Sequence, residues 1–339
     1  MLSRRGRWWL VAAALAAVLG GSLAAVRVEL SGGATAAQAT TMSGHSPTVD
    51  VQRDPWYGMA LFDSDVRFDA GAPVSHPPNV QAAAAILVDP DTGRILFQMN
   101  AHRELPPAST IKLLTALVAL INFDPHRTVT ATPGALTQAW DESKMGLHPG
   151  DRLNVEELLT GMLMVSANDA ATVLAVDTVG MERFVATMNA QAAELGLRDT
   201  HATSPVGLDD PHMYSSAYDL AVLASIDTKE FPLFDSIVAS QYTVLPASAL
   251  HPAFYLGNIN LLLNMYPATV GIKTGYTENA GGCLVAEAVR GGHRLISVIL
   301  NANYVYSQSR RLLDWGFTQF GLPAQYPSPS PSASPKPQH

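Results

Sequence analysis

Strand-like and helix-like periodicities are segregated along this chain, and that segregation limits what it can fold into. Ala82 to Val88 and Arg94 to Met99 read as strands joined by the turn Asp89-Pro90-Asp91-Thr92-Gly93. Strand patterns return in the last third, over Thr269 to Lys273, Gly282 to Arg290 and Arg294 to Leu300, with Gly-rich turns between them. The middle reads as helices: Ser109 to about Asn122, Val155 to Val165, Asp169 to Val179 with Gly180 as its stop, Glu182 to Leu195, and Ser216 to Ile226 capped by Ser215 or Ser216. Gln308 to Phe317 is a closing helix. The order predicts one sheet drawn from both chain ends and covered by a helical part, an α+β fold in three layers.

With 339 residues and 47% hydrophobic content, the chain is long enough to bury a large core. Its net charge of −8, without a basic stripe, argues against nucleic acid as a partner. Ten scattered histidines show no metal-ligand spacing, and the lone Cys283 rules out a disulfide framework within the chain. Arg4, Arg5 and Arg7 precede an apolar run from Trp8 to Val26, as in a secretory signal peptide or an uncleaved membrane anchor. Ala37-Gln38-Ala39 offers a late cleavage site and Leu23-Ala24-Ala25 an earlier, poorer one. The expected organisation is a targeting segment with linker over 1–39, a poorly structured leader over 40–79, a folded domain over 80–322, and a disordered Ser/Pro-rich tail over 323–339. The protein is expected to be exported, to the outer face of the membrane or the wall, or secreted if the signal is cleaved.

Within that frame, Ser109-Thr110-Ile111-Lys112 opens an apolar helix. Residues three apart share a helix face, so the Lys112 amine lies within reach of the Ser109 hydroxyl. A serine hydroxyl becomes a good nucleophile when an adjacent base takes its proton, and lysine is such a base when burial and nearby positive charge lower its pKa. Ser166-Ala167-Asn168 follows on an interhelix loop and Lys273-Thr274-Gly275 on a strand. Each motif is weak alone; their order and placement together are specific.

The chain resembles the serine-type D-alanyl-D-alanine carboxypeptidases, the low-molecular-mass penicillin-binding proteins, over residues 80 to 322. Besides the three motifs, the resemblance rests on Val88 to Leu96, on Leu158 to Leu163 with Ser166 to Ala171, on Gly207-Leu208 with Tyr214 to Leu220, and on Lys273 to Thr277 with Ala280 to Leu284. It implies a β-lactamase/penicillin-binding transpeptidase-like fold. It implies Ser109 as nucleophile, Lys112 as its base with Lys273 favouring the neutral amine, Ser166 as proton relay, and Asn168 holding substrate and Lys112. The backbone N–H groups of Ser109 and Tyr276 would form the oxyanion hole, and Lys273 and Thr274, with Gly275 beside them, would bind the substrate carboxylate. The implied substrate is a peptidoglycan stem peptide ending in D-Ala-D-Ala, β-lactams are the implied inhibitors, and no metal or organic cofactor is called for. Two departures stand out: no β-rich second domain or C-terminal amphipathic helix follows Phe317, so any membrane attachment falls to the N-terminal segment, and Tyr276 occupies a position where the family varies.

Three alternatives stay open from the residues. A class A β-lactamase needs a glutamate after the second motif in a Glu-x-x-Leu-Asn context, which Glu182 and Glu194 lack. A non-catalytic penicillin-binding sensor would keep the same residues without turnover, and an endopeptidase or transpeptidase would change the bond or the acceptor.

Overall fold

The computed structural model describes residues 66–70 and 76–326; the N-terminal apolar run, both cleavage sites, most of the leader and the Ser/Pro tail from 327 lie outside these. Among the described residues, no helix is long and apolar enough to cross a membrane. The main sheet has six strands: β1 (Asp69–Ala70), β2 (Ala84–Asp89), β3 (Arg94–Met99), β8 (Thr269–Thr277), β9 (Gly281–Arg290) and β10 (His293–Ala302). Their order is β1-β3-β2-β10-β9-β8, antiparallel except for the β1–β3 pair. The expected sheet from both chain ends is therefore present, joined where Ile86 of β2 faces Val298 of β10.

Period-2 alternation places β2 and β10 between two cores. Ala84, Ile86, Val88, Ile296, Val298 and Leu300 face the helical part, whereas Ala85, Leu87, Leu295 and Ile299 face the closing helix. A sheet covered on both faces needs nearly continuous apolar strands, which these are. The helical part comprises α1 (Lys112–Asn122), α2 (Val155–Met164), α3 (Asn168–Val176), α4 (Met181–Glu194), α5 (Ala217–Glu230) and α6 (Pro232–Ala239), while Leu262 of the short α7 (Leu262–Met265) packs into the core on the other face. The closing helix is α8 (Val305–Thr318). Two small hairpins complete the chain, β4 (Thr128–Thr130) with β5 (Arg152–Asn154), and β6 (Tyr242–Leu245) with β7 (Phe254–Gly257). Buried on nearly every side, α1 is the axis of the helical part, as an all-round apolar helix must be. At the start of α2, Asn154 and Glu157 exchange side-chain-to-backbone bonds of 2.8 Å each, a capping box that satisfies two otherwise orphan donors.

Several boundaries differ from the sequence reading. Phe68 is buried and stacks edge-on against Tyr218, whose hydroxyl accepts the Phe68 N–H at 3.0 Å, so residues 66–70 pack on the domain expected to begin at 80. Asp314 accepts the N–H groups of Gln325 and Tyr326 at 2.9 and 2.8 Å, so the first residues after 322 are also held. Gly180 does not stop the helix before it: α3 ends at Val176 and Gly180 caps the start of α4. The third motif lies wholly inside β8, which continues to Thr277. Of the two candidate caps for α5, Ser216 is the one used, its hydroxyl accepting the Asp219 N–H at 3.1 Å.

Candidate active site

Ser109 sits on a 3-10 turn, Ala108–Ile111, rather than on the first turn of an α-helix; α1 begins only at Lys112. Ala108 is left-handed at φ 48°, an unfavourable region for a residue with a Cβ, and the surrounding contacts hold it there. Two glycines make the packing possible. A Cβ on Gly275 would lie 2.9 Å from the Ser109 backbone nitrogen, and one on Gly207 (φ 87°) would overlap the Ala108 carbonyl. Strand β8 and the loop at Val206 therefore close on the turn from two sides, at distances only glycine permits.

Lys112 is fully buried, and its Nζ has three partners: Ser109 Oγ at 3.0 Å, Asn168 Oδ1 at 2.6 Å and the Val206 carbonyl at 2.7 Å. Burial pushes its pKa well below the ordinary lysine value; the charge of Lys273 pushes the same way, and Glu142 and Asp169 oppose. The amino end of α1 adds a further penalty for positive charge. With the amine neutral, two of its three sites are N–H donors. Asn168 Oδ1 and the Val206 carbonyl only accept, so they consume both donors and leave the lone pair for Ser109. This is the arrangement a serine general base needs.

Lys273, from the middle of β8, is also buried, and burial alone brings its pKa down to about 7. Its Nζ donates to the Thr274 carbonyl at 2.9 Å. Tyr276 is 73% exposed, at the open end of the same strand. Ser166 is buried and left-handed at φ 59° between α2 and α3, and Asn168 is the first residue of α3. The Ser166 hydroxyl makes no hydrogen bond among the described residues. The fold thus gathers Ser109, Lys112 and Asn168 by direct contact, and Gly275 by backbone approach.

Three participants were given no role by the sequence. The Val206 carbonyl is a backbone atom. Glu142 accepts from Asn168 Nδ2 at 2.7 Å, but lies in a loop without periodicity. Asp169 stands beside a motif residue, and its carboxylate accepts the N–H groups of Met145, Gly146 and Leu147 at 2.9–3.0 Å, pinning that loop to α3.

A profile of the D-alanyl-D-alanine carboxypeptidase family matches residues 72–304. The chain belongs to this family. Its members are serine peptidases of cell-wall peptidoglycan metabolism. A D-alanyl-D-alanine carboxypeptidase of Mycobacterium tuberculosis is 38% identical over 263 residues, 75% of this chain and 88% of that protein. One of Bacillus subtilis is 34% identical over 249 residues, 71% of this chain but only 63% of the relative. Among solved structures, a D-alanyl-D-alanine carboxypeptidase of M. tuberculosis superposes with a TM-score of 0.69 at 36% identity, covering 74% of this chain and 96% of that one. The DD-transpeptidase of Streptomyces K15 gives 0.67 at 28%, covering 72% and 99%. The penicillin-binding fold expected from the motifs is the fold of these neighbours.

Proposed function

We propose that the protein removes the terminal D-alanine from peptidoglycan stem peptides, through an acyl-enzyme on Ser109, outside the cytoplasm. The observation that carries this is the setting of Lys112, a buried amine 3.0 Å from Ser109 Oγ whose other two partners, Asn168 Oδ1 and the Val206 carbonyl, only accept.

In the proposed reaction, Lys112 takes the Ser109 proton as Oγ attacks the carbonyl of the penultimate D-alanine. The backbone N–H groups of Ser109 and Tyr276 receive the developing oxyanion; one such donor typically contributes about 3 kcal/mol to lowering the barrier. Ser166 passes a proton to the departing nitrogen, the C–N bond breaks, and free D-alanine leaves. Lys273 and Thr274 hold the substrate's terminal carboxylate, and Asn168 turns an amide N–H toward the substrate backbone. Water then cleaves the Ser109 ester. A β-lactam presents a similar carboxylate and amide and acylates the same serine. The arginine-flanked apolar run Trp8 to Val26 directs export, and serves as the membrane anchor if uncleaved.

The test is labelling with a fluorescent penicillin, with D-alanine release from a D-Ala-D-Ala pentapeptide measured in the same samples, for wild type and Ser109→Ala. Labelling and release that both vanish in the variant support the proposal. Folded wild-type protein that takes no label refutes the role of Ser109. A second reading, acyl transfer to an amine instead of water, is supported by the likeness to the K15 DD-transpeptidase. Adding an amino-acid acceptor separates the two: a transpeptidase diverts product into the new amide.

A further inference from the structure

Glu142 touches the catalytic lysine's neighbour, and the contact is built from several directions. Its Oε1 accepts the Ala139 N–H at 2.8 Å, and its Oε2 accepts Asn168 Nδ2 at 2.7 Å. The Ser143 carbonyl accepts the Asn168 N–H at 2.8 Å, and Asp169 holds Met145 to Leu147 by their backbone N–H groups. The carboxylate is therefore positioned by its loop and does not reach in from solvent on a free chain.

We propose that Glu142 is a positioning residue for acylation, a carboxylate that fixes which way round the Asn168 amide stands and sets the charge balance around Lys112. The inference rests on the serine acylation proposed above. A neutral amine both donates and accepts, so Lys112 itself does not discriminate between the two orientations of the Asn168 amide. In the wrong one, Nδ2 donates into the Lys112 lone pair and turns it from Ser109. Glu142 excludes that orientation, because it would set Oδ1 against a carboxylate that only accepts. An ammonium would enforce the correct orientation unaided. The carboxylate therefore matters in the state where the base is neutral and ready to act.

The charged groups acting on Lys112 are Lys273 from β8, Glu142 from the loop and Asp169 from α3. Glu142 favours the ammonium, so it also holds the onset of activity at a higher pH than burial and Lys273 alone would set.

The experiment is the pH profile of the second-order acylation rate with a fluorescent penicillin, for wild type, Glu142→Gln and Glu142→Asp, with the melting temperature of each. Glutamine offers both a donor and an acceptor and so satisfies either amide orientation. Its high-pH plateau is expected to fall about tenfold, while its acid limb moves to lower pH as the negative charge is lost. The two effects offset at low pH and leave the deficit at high pH. Glu142→Asp keeps the charge, so its acid limb stays near that of wild type. A Glu142→Gln profile that superposes on wild type overturns the proposal. So does a plateau loss in both variants without a limb shift and with a lowered melting temperature, since that is a structural role alone. Wild type that takes no label refutes the acylation reading itself, a result distinct from either.

Discussion

Gly275→Ala tests how closely the site depends on the approach of β8 to the serine turn. The added Cβ would sit 2.9 Å from Ser109 N, 3.0 Å from Ala108 Cβ and 3.2 Å from Thr110 N, where ordinary contacts begin near 3.4 Å. The obstructing atoms are mostly backbone, so strand and turn must separate by about half an ångström. A displacement of about 1 Å costs on the order of 100-fold in rate, so half of that is about tenfold, or roughly 1.4 kcal/mol of barrier. Overpacking also costs about 1–3 kcal/mol of stability, so acylation by a fluorescent penicillin is measured well below the melting temperature of the variant. Folded Gly275→Ala protein that acylates within twofold of wild type would refute the argument that this glycine sets the site's geometry.

Further outcomes follow from the same geometry. Lys273 has a folded pKa near 7 against an unfolded value near 10.5, so the unfolded chain binds more protons between those values and stability rises with pH across that window. Urea unfolding at pH 7.5 and 9.5 should show a steeper rise for wild type than for Lys273→Met; equal slopes would contradict the burial of a neutral amine. Phe68→Ala should destabilise the domain by about 3 kcal/mol by urea unfolding, because its ring is buried against Tyr218; an unchanged midpoint would detach residues 66–70 from the fold. Asp169→Asn sets amide hydrogens against either the Met145 N–H or the N–H groups of Gly146 and Leu147, and should cost about 2–3 kcal/mol, with faster hydrogen exchange confined to that loop. Exchange unchanged there would mean the loop is held by other contacts.

How much could be read in advance followed from the kind of interaction involved. The sheet was legible because β2, β9 and β10 are buried on both faces and carry long apolar runs bounded by glycine turns. The Ser109–Lys112 contact was legible because one side chain three residues from another leaves little freedom, even though the turn proved to be 3-10 rather than α. The resemblance brought in the α2–α3 loop and β8, which no local rule could have placed beside Ser109. Region 232–265 went unread: α6 and the β6–β7 hairpin are short, and the strands span only four positions each, β7 alternating buried with exposed residues and β6 half-buried with exposed ones. Glu142 and the Val206 carbonyl act across more than twenty and ninety residues of separation respectively, through a loop side chain and a backbone oxygen. Neither carries a local pattern.

The sheet drawn from both chain ends also sets when the molecule can form. β2 leaves the ribosome early, yet its partner β10 follows more than two hundred residues later. Such long-range pairing makes for slow folding, because loop closure precedes the contacts that reward it. Until β10 arrives, β2 presents five apolar residues in a row, Ala84 to Val88, with an unpaired edge, a segment prone to pairing with other chains. Lys273 comes late as well, on the strand that brings Gly275 against Ser109. Ser109 and Lys273 therefore come together only once β8 has been made and paired, and a copy lacking β8 has no assembled site.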